Sequence, residues 1–380
     1  MQFSGNNNKI GLLGGGQLGR MLLQAAIDLD LHLKILDPDP SAPCALIAPE
    51  FVNGSFQDFD TVYNFGQDCE LITIEIENVN IEALEKLEAE GKKVFPQPKV
   101  LRIIQDKRVQ KQFYKDHGIP TAPFILTDNK EEIEKNVSFF PAFNKLGIGG
   151  YDGRGVQKLS SVEDIELAFN QPSLLEKAID FQTEIAIIVA RNEAGEIKTF
   201  PSVEMAFHPT QNLVEYLFSP ANISAEINQQ AEEIAISVAE KLGIVGILAV
   251  EMFVTKDGNV LVNEVAPRTH NSGHQTIRAN FTSQFEQHIR AILNLPLGDT
   301  TAFMPAAMVN LLGEKNYEGN AKYLGLTEIL KEKGVFPFLY GKKTTKPFRK
   351  MGHVTVLGEN IEELEEKVNL VREKLKVVSF

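Results

Sequence analysis

The chain has 380 residues, enough for roughly two to three ordinary domains, and its 43% hydrophobic content can fill real cores. Its 51 acidic side chains outweigh 38 basic ones to leave a net charge of −13, which argues against a nucleic-acid scaffold and against attachment to anionic membrane by charge. Two cysteines (Cys44 and Cys69), an opening MQFSGNNNK without a secretion-signal pattern, and no apolar run of membrane-spanning length point to a soluble cytoplasmic protein with no membrane partner.

Strand and helix signals alternate over the first hundred residues. A short apolar strand over 9–13 runs into the turn GGGQLGR, and residues 21–30 have helical apolar spacing. Further strands are expected over 33–36 and 71–76, and an amphipathic helix over 81–90 is stopped by Gly91. This alternation predicts a Rossmann-like domain over residues 1–98, a parallel sheet with helices on both faces. Phe95-Pro96-Gln97-Pro98 then punctuates the chain. Residues 100–117 read as one basic helix leading into a small α+β lid, the second domain covering 99–183, with strands over 139–145 and 173–178. From 184 to 380 antiparallel strands dominate, over 183–190, 197–203 and 247–254. A helix is expected over 231–242, Lys256-Asp257-Gly258-Asn259 makes a hairpin turn, and a small α/β piece ends in a helix over 361–375.

Five constellations carry chemistry. Gly14-x-Gly16-x-x-Gly19 follows a strand and opens a helix, with Asp37 ending the next strand. That satisfies a dinucleotide fingerprint, and equally any phosphate held at a helix N-terminus, with Gln17 and Arg20 as extra donors, or a bare tight turn. The run from Lys145 to Gly155, KLGIGGYDGRG, has five glycines that let backbone N–H groups approach an anion. Glu251 and Glu264 lie in apolar strands joined by the 256–259 turn, so they can meet on one face; paired buried carboxylates repel unless a cation such as Mg²⁺ neutralises them. NEVAPRTHNSGH packs Arg268, His270, Asn271 and His274 together, and Lys342, Lys343, Lys346, Arg349 and Lys350, with His353 if protonated, form a basic cluster suited to phosphate. Nothing downstream resembles a hydride-transfer site.

In this order GLLGGGQLGRML, ITIEIENV, QDKRVQK, GGYDGRG, NEVAPRTHNSGH and LYGK…RKMGHVTV, spanning 11–356, resemble the ATP-grasp superfamily and, within it, the N5-carboxyaminoimidazole ribonucleotide synthetases of purine biosynthesis. The resemblance implies an ATP-grasp fold and an ATP-dependent carbon–nitrogen ligase, a homodimer that uses bicarbonate and Mg²⁺ (two ions possible) and neither NAD nor biotin. It assigns ATP to Lys107, Lys145, Gly150, Tyr151, Asp152, Gly153, Arg154, Gly155, Val156, Glu176, Lys177, Ala178, Ile179, Glu184, His208, Asn263 and Glu264, and metal to Glu251 and Glu264. The ribonucleotide falls to Gly16, Gln17, Leu18, Glu75 or Glu77, His270, Asn271, Lys342 and Arg349, and the chemistry to Asp152, Tyr151, Arg154, Arg268 and Lys342.

Two positions depart from the family pattern: Lys107 stands where Arg is usual, so either it or Arg108 meets phosphate, and Thr269 replaces a common Pro. The resemblance implies that bicarbonate attacks the γ-phosphorus of ATP to give carboxyphosphate, whose carbon then passes to the amine of 5-aminoimidazole ribonucleotide. The alternatives are a formate-dependent glycinamide ribonucleotide transformylase, a biotin-carboxylase-like ligase, or a non-catalytic nucleotide-binding module. GGYDGRG and YGK…RKMGH count against the first two, and Lys145, Glu251 and Glu264 against the third.

Overall fold

A computed structural model describes residues 9–149, 155–207 and 213–380. The N-terminal strands are apolar on both faces, Lys9–Leu13, His32–Asp37 and Leu71–Ile74 being almost wholly buried. Such strands demand cover on both sides and pair in parallel, here in the order Glu50–Asn53, His32–Asp37, Lys9–Leu13, Leu71–Ile74, Lys93–Val94. Helix Gln17–Ile27 packs Leu18, Met21 and Leu22 against Ile10, Leu12 and Ile35 on one face. Helices Phe59–Gly66 and Ile81–Ala89 cover the other through Val62, Phe65, Leu84 and Leu87. Phe285 and Ile289, from helix Gln284–Ile292, enter the first of these cores, so the parallel sheet is packed onto the rest of the molecule rather than tethered to it.

The basic helix expected over 100–117 is two helices, Pro98–Gln105 and Lys107–Asp116. Asp106 between them is extended, and its carboxylate accepts from the Arg108 amide at 2.8 Å, a cap that ends one helix and starts the next. Lys107 thereby sits at the first helical position.

The lid is a four-stranded antiparallel sheet in the order Phe124–Thr127, Ser173–Lys177, Ala142–Leu146, Val156–Leu159. The main sheet has nine strands among the described residues. Its path runs Val260–Ala266, Gly246–Thr255, Phe181–Arg191, Val203–Phe207, Val214–Ser219, Ala306–Leu312, Lys350–Leu357, Val335–Leu339, with Ile197–Thr199 alongside Phe181–Arg191. The strand expected over 197–203 is thus split in two. Helix Ala225–Leu242, stopped by Gly243 in the left-handed conformation, covers one face through Ala231, Ala235 and Val238. A three-stranded sheet of Thr344–Thr345, Gly319–Leu324 and Lys376–Ser379, with helix Ile361–Lys374, completes the C-terminal part. No helix among the described residues is long and apolar enough to cross a membrane.

Candidate active site

Glu251 and Glu264 lie directly opposite one another on neighbouring antiparallel strands. The register shifts immediately beyond them, so that Met252 faces Val262 and Asn263 becomes the extra residue of a bulge. A bulge turns two consecutive side chains toward one side, which is how both Asn263 and Glu264 reach the same cleft: Lys145 Nζ meets Asn263 Oδ1 at 3.4 Å and Lys107 Nζ meets Glu264 Oε2 at 2.9 Å. The Lys107 ammonium, against opposing burial, holds the Glu264 carboxyl below the usual carboxylate range. Glu251 goes the other way, raised by burial and then by the charges of Glu264 and Glu184. Glu184, in the strand on the other side of Glu251, is itself pushed up to about 7 by burial and by Glu264.

Burial and the Glu264 charge thus hold Glu251 and Glu184 toward their neutral forms, while Glu264 stays ionised. The facing pair Glu251 and Glu264 fits a hard divalent cation, whose charge would favour the carboxylate form of Glu251. Among the described residues no group of three or more His, Cys, Asp or Glu side chains is arranged to hold a metal ion. A cation here would therefore rest on the two facing carboxylates, with other oxygens, such as those of phosphates, filling its remaining positions.

Lys145 leaves the lid strand Ala142–Leu146 to pair with Glu176 Oε1 at 2.5 Å; Glu176 Oε2 is 2.5 Å from a second ammonium, that of Lys111. Burial raises the Glu176 carboxyl, but the two lysines outweigh it and hold it ionised. Both carboxylate oxygens of Glu176 are therefore committed to lysines of the protein itself. Lys177 donates to the carbonyls of Phe139 and Phe140 at 2.9 and 3.0 Å, and the Ala178 amide to Pro141 O at 3.0 Å, so both are fixed within the lid. Ile179 follows directly, before the Phe181 strand begins. Gly155 has a φ of +76° and accepts from the Leu146 amide, leading into Val156 of the last lid strand. Of the two candidate cations after Gln105-Asp106, Lys107 faces the cleft while Arg108 turns out to Asp128 at 2.8 Å.

The glycine-rich turn at 14–19 holds an anion of the protein's own. The Glu75 carboxylate accepts from the amides of Gly16 at 2.6 Å and Leu18 at 3.2 Å, doing for helix Gln17–Ile27 what Gly16, without a side chain, cannot. Burial raises the Glu75 carboxyl to about 7 against these hydrogen bonds. The acid that completed the dinucleotide fingerprint, Asp37, is likewise committed: its two oxygens accept from the amides of Gly15 and Asp39. Strand Leu71–Ile74 ends two residues short of expectation, so Glu75 and Glu77 do not share a strand face. Glu77 instead forms an ion pair with Arg268 Nε at 2.9 Å.

The loop after strand Val260–Ala266 is anchored by a side chain from helix Gln284–Ile292. Gln284 accepts from the His270 amide at 2.8 Å and donates to its carbonyl at 2.7 Å. His270 Nδ1 accepts from the Ser272 amide, which leaves its proton on Nε2, 3.5 Å from Glu251 Oε1. Burial, then Arg268 and Lys350, push this imidazole down to about 3, so it is neutral. The Asn271 amide exchanges hydrogen bonds with Asn310 at 2.9 and 3.0 Å. His274 and His353, which the sequence groups with the polar clusters, are fully buried, their rings 4.7 Å apart, and burial keeps both neutral. His353 therefore adds no charge to the basic cluster, contrary to its conditional place there.

From that cluster Lys342 Nζ reaches Gln17 Oε1 at 2.6 Å and the Lys350 carbonyl at 2.7 Å, joining the first glycine loop to the C-terminal part. Arg349 is braced by Thr344 at 2.7 Å. Gly150, Tyr151, Asp152, Gly153, Arg154 and His208 lie outside the described residues. Sequence reasoning overlooked Lys111, Asn310 and Gln284. Lys111 was accessible to it, since it is four residues beyond Lys107 on one helix and so shares its face.

Comparison with known proteins adds three family matches in chain order: the ribonucleotide synthetase preATP-grasp domain over 7–105, the ATP-grasp domain over 112–285, and the phosphoribosylaminoimidazole carboxylase C-terminal domain over 306–367. The chain is 37% identical to an N5-carboxyaminoimidazole ribonucleotide synthase of Bacillus subtilis over 92% of its own length and 91% of that protein's. It is also 37% identical to a chloroplastic phosphoribosylaminoimidazole carboxylase of Vigna aconitifolia, of which it spans 66%. Among solved structures, the N5-carboxyaminoimidazole ribonucleotide synthetase of Thermotoga maritima superposes with a TM-score of 0.91 at 43% identity, covering 98% of this chain and all of that one. The Aspergillus clavatus N5-carboxyaminoimidazole synthase, solved with ADP and 5-aminoimidazole ribonucleotide, does so at 0.87 and 32% identity, covering 96% and 98%.

Proposed function

The chain belongs to the N5-carboxyaminoimidazole ribonucleotide synthetase family of ATP-grasp enzymes, and from that premise we propose how its own residues carry out the carboxylation of 5-aminoimidazole ribonucleotide at the expense of ATP. The observation that carries the reading is the facing pair Glu251 and Glu264, with Lys107, Lys145 and Asn263 converging on the same cleft.

In this reading Glu251 and Glu264 hold Mg²⁺, which neutralises phosphate charge when bound. Lys107 and Lys145 take the nucleotide phosphates, with the main chain of 176–179 along the base edge and Glu184 toward the sugar. A bicarbonate oxygen forms a bond to the γ-phosphorus as the bond to ADP breaks, giving carboxyphosphate. The positive donors are in place before that charge develops, and this is where their contribution is largest. The exocyclic amine of the ribonucleotide then attacks the carboxyphosphate carbon. The C–O bond to phosphate breaks, and the amine proton passes to a base, a role we assign to Asp152, with Tyr151 and Arg154 beside it. Arg268, fixed by Glu77, and neutral His270 supply hydrogen-bond donors to the anionic intermediate. Gln17 and Lys342, with Arg349, hold the ribonucleotide's phosphate end; Glu75 serves through the loop it caps. A homodimer and a cytoplasmic location complete the proposal; the second is supported by two free, buried thiols.

The test is ADP release from Mg·ATP and bicarbonate, with and without 5-aminoimidazole ribonucleotide, beside glycinamide ribonucleotide with formate. Release dependent on the aminoimidazole supports the reading. Release only with the glycinamide pair, or no release with either, overturns it.

A further inference from the structure

Lys111 is 2% exposed, and so is Glu176, the residue it pairs with. A lysine buried this far normally marks a requirement, because removing an ammonium from water is costly unless its charge is matched. Here burial pulls the Lys111 pKa down and Glu176 opposes it. The Lys111 ammonium has two partners from two different parts of the molecule. One is Glu176 Oε2, on the lid strand Ser173–Lys177, at 2.5 Å. The other is Thr121 Oγ1, also at 2.5 Å, and that hydroxyl donates onward to the Val262 carbonyl at 2.7 Å. Val262 immediately precedes the bulge residue Asn263 and the acid Glu264.

The other oxygen of Glu176 carries Lys145. This sets up a competition. For Lys145 to serve a phosphate it must loosen its hold on Glu176, and a buried carboxylate stripped of its only cation is strongly destabilising. With Lys111 in place, Glu176 keeps a cation whichever way Lys145 turns.

We propose that Lys111 is a positioning residue for nucleotide binding: by remaining paired with Glu176, it releases Lys145 to the phosphates and ties that event to the strand bearing Asn263 and Glu264. The inference rests on the nucleotide site proposed above. It makes Lys111 an element of affinity rather than of chemistry, since its ammonium is enclosed by Glu176 and Thr121.

The test is ADP binding by calorimetry, with steady-state kinetics, on Lys111→Met and on Lys111→Met/Glu176→Gln. In the single variant Glu176 has only Lys145, so the Kd for ADP and the KM for ATP should rise about tenfold or more, with a smaller change in kcat. In the double variant Lys145 no longer faces an unpaired buried charge, and ADP affinity should return to within about threefold of wild type, a recovery that a merely structural role would not give. A single variant within about twofold of wild type, or a double variant as weak as the single, overturns the proposal. Should Lys111→Met fail to fold, the double variant decides by the same threshold. Failure of wild-type turnover with the aminoimidazole would strike the reaction assignment instead, while the ADP titration still judges Lys111.

Discussion

The Glu75 carboxylate lies 2.6 Å from the Gly16 amide, inside the glycine turn rather than outside it. A sequence that advertises an anion-binding loop has therefore supplied the anion from its own fourth strand's end. A Cβ built on Gly16 would collide with Glu75 Oε1, and one on Gly19 would come within 2.7 Å of Oε2. Gly16→Ala should expel the carboxylate from the loop and cost about 1–3 kcal/mol of stability. It should also raise the KM for the ribonucleotide, because Gln17 would shift from Lys342. Thermal unfolding with steady-state kinetics checks both; a variant with wild-type melting would contradict the cap.

Glu251 and Glu264 should fail differently. Glu251→Gln removes a carboxyl held above its normal range by burial and two acidic neighbours, so the fold should keep or gain melting temperature while the Mg²⁺ requirement rises about tenfold or more. Glu264→Gln also strips Lys107 of its partner, so nucleotide affinity should fall along with metal affinity. Mg²⁺ titrations of activity, with melting curves for each variant, separate the two.

Lys342 and Gln17 act at the phosphate end of the ribonucleotide in our reading, away from the ATP cations. Lys342→Met should raise the ribonucleotide KM by about tenfold or more and leave ADP affinity near wild type. Equal loss of both would place Lys342 elsewhere.

Acid should unfold the protein through its buried histidines. His288 accepts from the Ile247 amide at Nδ1 and meets Thr73 Oγ1 through Nε2, joining the N-terminal sheet to the main one, and burial holds its pKa at about 4. The folded value lies below the unfolded one of about 6.5, so the unfolded chain binds the extra proton first. The stability attached to His288 is complete above about pH 6.5 and is lost as pH falls toward 4, about 3 kcal/mol in all. Relative to His288→Gln, wild type should lose that difference across this window in urea unfolding. Parallel pH profiles would refute it.

The parallel sheet and the hairpin carrying the two glutamates were legible because each is written in local pattern, unbroken apolar strands and a turn at Asp257-Gly258, but the register that turn starts would set Asn263, not Glu264, across from Glu251. The bulge at Asn263 was not, since nothing in VNEV distinguishes it from plain alternation. Nor was the break at Asp106, where capping chemistry overrode an otherwise continuous helical pattern. Glu75 and Glu77 went to different partners, the glycine turn and Arg268, once the strand ended at Ile74. His274 and His353 fell into polar and basic clusters because sequence shows composition, whereas their burial comes from strands and loops far apart in the chain.

The contact between Gln17 and Lys342 spans 325 residues. As the polypeptide leaves the ribosome, the pieces of the nucleotide cleft, from Lys107 to Glu264, are all present well before Lys342 emerges. On the site assignments proposed above, a nascent chain can assemble a place for ATP while the ribonucleotide end is still missing one wall. Translation then imposes an interval in which the fuel site precedes the acceptor site, because a contact of such sequence separation has to wait for the last part of the chain.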